Sequence, residues 1–289
     1  ATLTVGDRLI LRKLFQALGL SCKSGEEAVR AGEFLSGFIA LAKSAGGDAP
    51  LPASPAATEI EDTQRLVGNE QLVAIKTKAS DWEDKIKAWT TTRDLIAQRR
   101  PTWNMVERLA KHAAAMPEAK PHLEQIEAVR SQRLLLEKAD SASAIRVSLA
   151  GLLRDAVQKG RTDYDASFGA AIASLANNSV WTKVLPADQD AIKAAVGLSA
   201  TSKPDIASDE ALVGYLDQKP LSNFQAEIDA IAGRVALAIE RAARLLVPKV
   251  QTITLERSTL QDAAEVEAWV QRQAATLIEA VRHGPVLVN

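Results

Sequence analysis

The sequence is poor in cysteine and in aromatic residues, and it contains no long apolar run. One cysteine, Cys22, among 289 residues cannot form an internal disulfide, which excludes a disulfide-stapled scaffold and fits a reducing, cytoplasmic compartment. We expect Cys22 to be a small turn residue rather than a reactive thiol. Charges interrupt the longest apolar stretches, such as 235–247, so none reaches the roughly 20 residues of a membrane span. The first 20 residues lack the basic region and unbroken apolar run of a signal peptide. These absences predict a cytoplasmic protein without membrane contact.

The common catalytic motifs are also missing. No G-x-x-x-x-G-K-[ST] phosphate loop, G-x-S-x-G or H-E-x-x-H occurs. The three histidines are isolated from one another and from cysteine, so no zinc spacing is present; they are His112, His122 and His283. Four turn acids could hold Mg²⁺, although capping is the favoured role: Asp163, Asp165, Asp188 and Asp190. We therefore expect no cofactor, no metal and no enzymatic activity.

The overall composition is that of an ordinary folded protein. Hydrophobic residues make up 47% of the chain, and 35 Lys and Arg nearly balance 36 Asp and Glu. The chain as a whole therefore lacks the basic excess of a dedicated nucleic-acid clamp, although local patches remain possible. The sequence begins at Ala1 without methionine, which favours an excised piece over a complete reading frame, with methionine removal as the alternative.

Apolar residues recur in steps of three and four through most of the chain, which predicts helices. A first helix is expected from Val5 to Leu18, ended by Gly19, and a second, capped by Ser24, reaches Ser44. The strongest pattern predicts a heptad helix that Pro101 stops and that, if unbroken, spans Asn69–Arg99. Its stripe has a heptad spacing: Leu72, Ile75, Ala79, Trp82, Ile86, Trp89, Arg93 and Ile96.

Further helices are expected over 102–116, 121–138 and 141–159, followed by short helices over 177–220. A second heptad stripe runs from Leu221 to Leu245, and the two stripes are natural antiparallel partners, although other helices could cover each of them. After the second stripe, the spacing of apolar residues changes from steps of three and four to the alternation typical of strands. Lys249–Glu256 and Pro285–Val288 read as strands around a helix over 262–282, a small parallel β-α-β element.

The predicted fold is therefore mainly α, with long antiparallel helices in a bundle or coiled-coil-like arrangement and a small C-terminal β-α-β element. Three regions are expected: 1–176 as a long-helix bundle with a linker near 44–57, 177–220 as a connecting region, and 221–289. In the linker, SAGGDAPLPASP, we expect Gly46 or Gly47 to be the left-handed residue that ends the helix, and three prolines to keep the connection extended.

Basic side chains gather around the predicted helix break at Pro101. Arg93, Arg99, Arg100 and Trp103 could serve phosphate binding or base stacking, because a guanidinium and an indole lie close in sequence. A looser basic set follows at Arg130, Arg133, Lys138, Arg146, Arg154, Lys159 and Arg161. Cations also gather near helix ends because the helix dipole favours them there, so ion pairing is the simpler interpretation of both sets.

Several stretches resemble the C-terminal region of a known family, the BrxC P-loop ATPases of bacteriophage exclusion (BREX) systems. The stretches are Ser21–Leu35, Ser44–Pro52, Gly68–Ile75, Leu245–Val270 and the closing GPVLV. The resemblance covers both ends of the chain and, more diffusely, the helices between them. None of these stretches is a catalytic motif, and the ATPase residues of the family have no matching positions here.

The resemblance implies a phage-defence protein acting with other BREX components, among them a DNA methyltransferase and an alkaline-phosphatase-like protein. We expect a non-catalytic region for assembly and partner binding, through other BREX components or self-association. The alternative is a DNA-contacting helical module of the same complex.

Overall fold

The computed structural model describes residues 3–200, 202–247 and 251–289. The protein is mainly helical, as predicted, with 71% of its residues in helices. None of the helices in these ranges is both long and apolar enough to cross a membrane. The elements, numbered along the chain, are α1 (Val5–Ala17), α2 (Glu27–Ser44), α3 (Thr58–Gln64), α4 (Gly68–Thr77), α5 (Ala79–Ala113), α6 (Lys120–Ser131), α7 (Ser141–Ala176), α8 (Pro186–Ala195), α9 (Asp209–Gln218), α10 (Ser222–Leu246), β1 (Gln251–Ile253), α11 (Ala263–Arg282) and β2 (Val286–Val288).

The chain divides into two compact units. The first comprises Ala1–Val157 and Asp205–Pro220, and the second comprises Gln158–Pro204 and Leu221–Asn289. Residues 177–220, predicted as a connecting region, are divided between the two units, because α8 belongs to the second unit and α9 to the first. The three-part division proposed from sequence stays a prediction.

An aromatic cluster forms the core of the first unit. Phe15 of α1 stacks on Phe34 of α2, with ring centroids 4.6 Å apart, and Phe38 meets the edge of Trp82 at 5.4 Å. All four side chains are fully buried. Aromatic pairs of this kind contribute about 0.5–1.5 kcal/mol beyond the burial of their area. The predicted heptad stripe is therefore covered from Leu72 to Trp89 inside this unit, by α1 and α2, whereas Arg93 is exposed.

The helix that carries this stripe is interrupted, so the condition of an unbroken helix over Asn69–Arg99 is not met. α4 ends at Thr77 and α5 begins at Ala79. The Thr77 hydroxyl donates to the Val73 carbonyl at 2.8 Å, a back-bond that tends to bend helices. The break allows Ile75 before it and Trp82 after it to enter the same core.

Pro101 does not end its helix, which is a second correction. α5 continues through Pro101 to Ala113, and the separate helix expected over 102–116 is its second half. Proline lacks the N–H that would bond one turn back, at a cost of about 3 kcal/mol. Ile96 before it and Trp103 and Val106 after it are all buried, and we attribute the continuity to this packing on both sides.

The second unit has a smaller core between α8, α10 and the end of α7. Trp181, Ile192, Ala238 and Ala242 are buried together there. Gly160 lies within α7, which runs through the position where a boundary was expected. A Cβ at Gly160 would stand 2.7 Å from the Phe224 ring, so the absence of a side chain permits this approach. Of the two coverings that the sequence left open for the heptad stripes, the first stripe shows coverage by other helices, α1 and α2, from Leu72 to Trp89.

The C-terminal β-α-β element is present. β1 and β2 are parallel, with Thr252 opposite Leu287, and α11 connects them. Both strands are three residues long, shorter than expected for β1, and the predicted strand residues Lys249 and Val250 lie outside the described residues. No residue within 251–289 is buried.

Candidate functional site

The Gly-Pro-Ser segment after α2 folds into a closed loop, which corrects the expected extended link. The Gly47 N–H donates to the Pro52 carbonyl at 2.9 Å, and the Ser54 hydroxyl donates to the Lys43 carbonyl at 3.1 Å. Neither Gly46 nor Gly47 is left-handed. Gly46 instead permits close packing, because a Cβ there would stand 2.5 Å from the Ser54 backbone nitrogen.

Arg133 anchors this loop from the segment after α6. Its Nη1 donates to the carbonyls of Gly47 and Leu51, both at 2.9 Å. Arg133 has φ 58°, an uncommon backbone conformation for a residue with a side chain. The Leu135 N–H adds a bond to the Pro50 carbonyl at 3.3 Å. Two chain segments far apart in sequence are thereby joined.

A cavity of about 360 Å³ lies beside the loop, and we call it the loop cavity. Its wall combines the loop with one face of α5: Gly47, Asp48, Ala49, Pro50, Leu51, Arg100, Trp103, Asn104, Glu107 and Leu135. Two of the four residues singled out from the sequence, Arg100 and Trp103, therefore line one site. Arg100 is exposed and has no ion pair or hydrogen bond within the described part of the chain.

Trp103 is placed for packing rather than for stacking on a base. It is 3% exposed, and the Arg130 guanidinium lies over its ring at 6.0 Å from the centroid. Arg130 is itself held by Glu107 at 3.1 Å and Glu127 at 3.0 Å. A ligand in the loop cavity would reach only the small exposed part of the indole.

The other two candidates have structural partners. Arg99 donates to the Leu135 carbonyl at 2.7 Å and also to the Glu137 carbonyl, so it supports the segment after α6. Arg93 pairs with its neighbour Asp94 at 2.8 Å on the exposed side of α5 and does not line the loop cavity. The role of all four residues in nucleic-acid contact stays a prediction.

The looser basic set is largely engaged in ion pairs. Arg154 and Arg146 both meet Asp209, the latter at 3.6 Å, which ties α7 to α9 within the first unit. In the second unit, Lys159 pairs with Asp163 at 3.0 Å and Arg161 with Asp165 at 2.8 Å. These contacts favour the simpler interpretation of the set as ion-paired cations.

The turn acids considered for Mg²⁺ do not gather. Asp163 and Asp165 each pair with a cation one turn earlier on α7, and Asp190 pairs with Lys193 at 2.6 Å. Across residues 3–200, 202–247 and 251–289, no three His, Cys, Asp or Glu side chains form a group suited to a metal ion.

One buried carboxylate was not singled out from the sequence. Glu27, in the first turn of α2, is fully buried, and its oxygens meet Arg8 at 3.2 Å and Arg12 at 3.3 Å. Burial by itself raises the pKa of Glu27, but hydrogen bonds from the backbone N–H groups of Glu27 and Gly25 and from Arg8 lower it overall. Nothing in the local sequence distinguishes it from Glu26, because its arginines come from α1.

Cys22 lies at the turn between α1 and α2, as predicted. It lines an open cavity of about 550 Å³ with Arg12, Lys13 and Gln16. Burial, followed by the charges of Glu27 and Glu26, raises the pKa of the Cys22 thiol. The thiolate that nucleophilic chemistry needs is therefore disfavoured at this position.

Comparison with protein-family models, curated proteins and solved structures found no significant match for this chain.

Proposed function

We propose that this chain is the non-catalytic assembly and partner-binding region of a BREX phage-defence ATPase, working in the cytoplasm. The resemblance of its end segments to the BrxC family gives the setting. The observation that carries the binding role is the distribution of exposed apolar side chains. Ten of the eighteen large hydrophobic residues that the described chain exposes fall between Leu237 and Val288, less than a fifth of the sequence.

Exposed apolar side chains concentrated in one segment are typical of protein interaction surfaces. The end of α10 is the densest part, with Leu245 58% exposed and Val247 63% exposed. Burial of such side chains stabilises a complex by about 25 cal/mol for each Å² removed from water.

In the proposed mechanism the long helices act as rigid supports. α5, α7 and α10 contain 35, 36 and 25 residues, and a bundle or coiled-coil-like pairing of such helices would hold binding surfaces at fixed positions. Nucleotide hydrolysis is left to the part of the resembled ATPase that carries the phosphate loop.

The test is affinity purification of the full chain from cells carrying the other BREX components. We expect recovery of the methyltransferase or the alkaline-phosphatase-like protein, identified by mass spectrometry, and its loss in the Leu245→Lys, Val247→Lys double variant. Val5→Lys with Val29→Lys is the matched control, because both valines are at least 80% exposed. Equal recovery with all variants would contradict the role of α10. ATP turnover abolished by a point mutation in this chain would contradict the non-catalytic role.

A second candidate is direct DNA contact, and the unpartnered Arg100 at the loop cavity favours it. Binding to phosphates predicts salt-sensitive affinity, because each neutralised phosphate releases counterions. Changing Arg99 and Arg100 to Glu should weaken binding, and Arg100→Glu alone should account for most of the loss, since Arg99 is engaged with backbone carbonyls. The absence of any shift in a low-salt titration would reject this candidate.

A further inference from the structure

The β-α-β element, residues 251–289, has an open sheet edge along β2. A two-stranded sheet is marginal in water, and no residue of this element is buried. The edge segment Gly284–Asn289 contains no charged side chain and no proline inside β2, the features that proteins use to block pairing at an edge. The element therefore presents an uncovered strand that can accept another.

The backbone register shows which groups point outward. β2 bonds to β1 through its odd-numbered residues: the Pro285 carbonyl accepts from Gln251, and Asn289 both donates to Ile253 and accepts from Leu255. Because alternate residues of a strand bond to opposite sides, the N–H and C=O groups of Val286 and Val288 point to the open edge.

We propose that a second copy of this chain covers the edge, with the two β2 strands antiparallel about a twofold axis at Leu287. This axis brings Val286 opposite Val288 of the second copy, and Val288 opposite Val286 of the second copy. Each of these pairs exchanges both backbone hydrogen bonds, so every outward group of β2 is satisfied. The two Leu287 side chains, each 53% exposed in one chain, come together at the axis.

The same axis places the two α11 helices side by side. It is perpendicular to the sheet, so both helices lie on one face, antiparallel and two strand spacings apart. That distance is about 9–10 Å, which is within the usual separation of packed helices, about 8–10 Å. Strand and helix pairing are therefore compatible in one dimer.

The exposed stripe of α11 lies on the side that this arrangement requires. Val270 is 50% exposed, Ile278 60% and Val281 59%, and the small Ala274 lies between them at helical spacing. Trp269 and Gln273, each one residue before a member of the stripe, bond to Glu256 and mark the side of α11 that faces the sheet. The stripe lies about 100° further round the helix, so in the right-handed crossover that parallel strands adopt it faces beyond β2 rather than beyond β1. Gln273 bonds to Glu256, one residue beyond the last bond between the strands, so the axis at Leu287 passes about one turn further along α11, near Ile278, and brings the Ile278 side chains of the two copies together.

This inference deepens the proposed assembly role by naming a surface and its occupant. The test measures the mass of the purified 289-residue chain by sedimentation equilibrium. We expect twice the 31.0 kDa monomer mass for the wild type and the monomer mass for Leu287→Lys, in which two ammonium groups would meet at the axis. Leu185→Lys, a change at a 69% exposed leucine elsewhere in the second unit, should remain dimeric. A monomeric wild type, or a dimeric Leu287→Lys, overturns the inference.

A second substitution tests the helix pairing separately. Ile278→Lys should raise the dissociation constant, on the order of tenfold, whereas Val266→Lys, at an exposed valine of α11 far from the axis, should leave it unchanged; equal values for the two variants overturn the pairing. Far-UV circular dichroism checks that each variant is folded. The sedimentation experiment contains no other BREX component, so a monomeric result would not contradict the proposed partner binding. Failure of the affinity purification would likewise not contradict the dimer.

Discussion

The aromatic core of the first unit and the β-α-β element differ in how each is stabilised. Phe15, Phe34, Phe38 and Trp82 are fully buried in the first, whereas residues 251–289 contain no buried side chain. A sequence with only 4% aromatic residues thus places four of them in one internal cluster. The first unit thus has an aromatic core of its own, whereas the described residues of the β-α-β element have none.

The largest effect should come from the same substitution made in both regions. Trp82→Ala removes a fully buried indole and should lower the free energy of unfolding by about 3–5 kcal/mol. Trp269→Ala removes a half-buried indole, which donates to the Glu256 carbonyl at 2.8 Å, and should cost no more than about 1 kcal/mol. Hydrogen exchange of the α2 amides measures the first effect and that of the α11 amides the second. Equal losses would remove the contrast between the two regions.

A smaller effect is expected at the buried carboxylate of the first unit. Glu27→Gln should cost about 1.5–3 kcal/mol at neutral pH, because hydrogen bonds to a charged acceptor are lost. The pKa of Glu27 is lowered in the folded protein, so its contribution is present above the ordinary glutamate pKa and disappears as the pH falls through the lowered value. The difference between wild type and variant should therefore shrink in acid.

The matched control for Glu27 is Glu33→Gln on the same helix. Among the described residues Glu33 pairs with Arg30, at 2.6 Å on the exposed surface, and its substitution should cost less than about 1 kcal/mol. Denaturant titrations across the acidic range measure both variants, and a pH-independent difference at Glu27 would contradict the assigned role of its charge.

Effects of opposite sign, both smaller than that of Trp82→Ala, should come from two glycines of the first unit. Gly46→Ala forces a Cβ against the Ser54 backbone and should destabilise the loop by about 1–3 kcal/mol. Gly32→Ala, in the middle of α2 with open space around it, should stabilise by about 0.5–1 kcal/mol. Thermal unfolding measures the pair, and a shift in the same direction for both would contradict the close packing at Gly46.

Sequence patterns gave the correct secondary structure where residues close together in the chain determine it. Gly19 ends α1 in the left-handed conformation, with φ 86°, at the position where the pattern stops. The change to β-branched residues after α10 correctly indicated a parallel β-α-β element. In both cases the residues that carry the signal are neighbours in the chain.

The errors arose where distant residues decide the structure. Pro101 was expected to end a helix, but Ile96 and Trp103 are both buried and the helix continues. The loop after α2 was expected to be extended, but it is closed and held by hydrogen bonds from Arg133. These bonds cross more than 80 residues of sequence, so the local pattern could not reveal them. Of the candidate site, Arg100 and Trp103 were identified from sequence, whereas the loop that faces them and the partners of Arg99 were not.

The Arg133 anchor also has a consequence for the order of events during synthesis. The residues that Arg133 holds, Gly47 and Leu51, leave the ribosome 86 and 82 residues earlier. At about 5–20 residues per second, the loop waits roughly 4–17 s for its anchor. During that interval α1 and α2 can already associate, while the wall of the loop cavity is still incomplete. A pause or a truncation before residue 133 would therefore yield a chain with a formed N-terminal helix pair and an open loop.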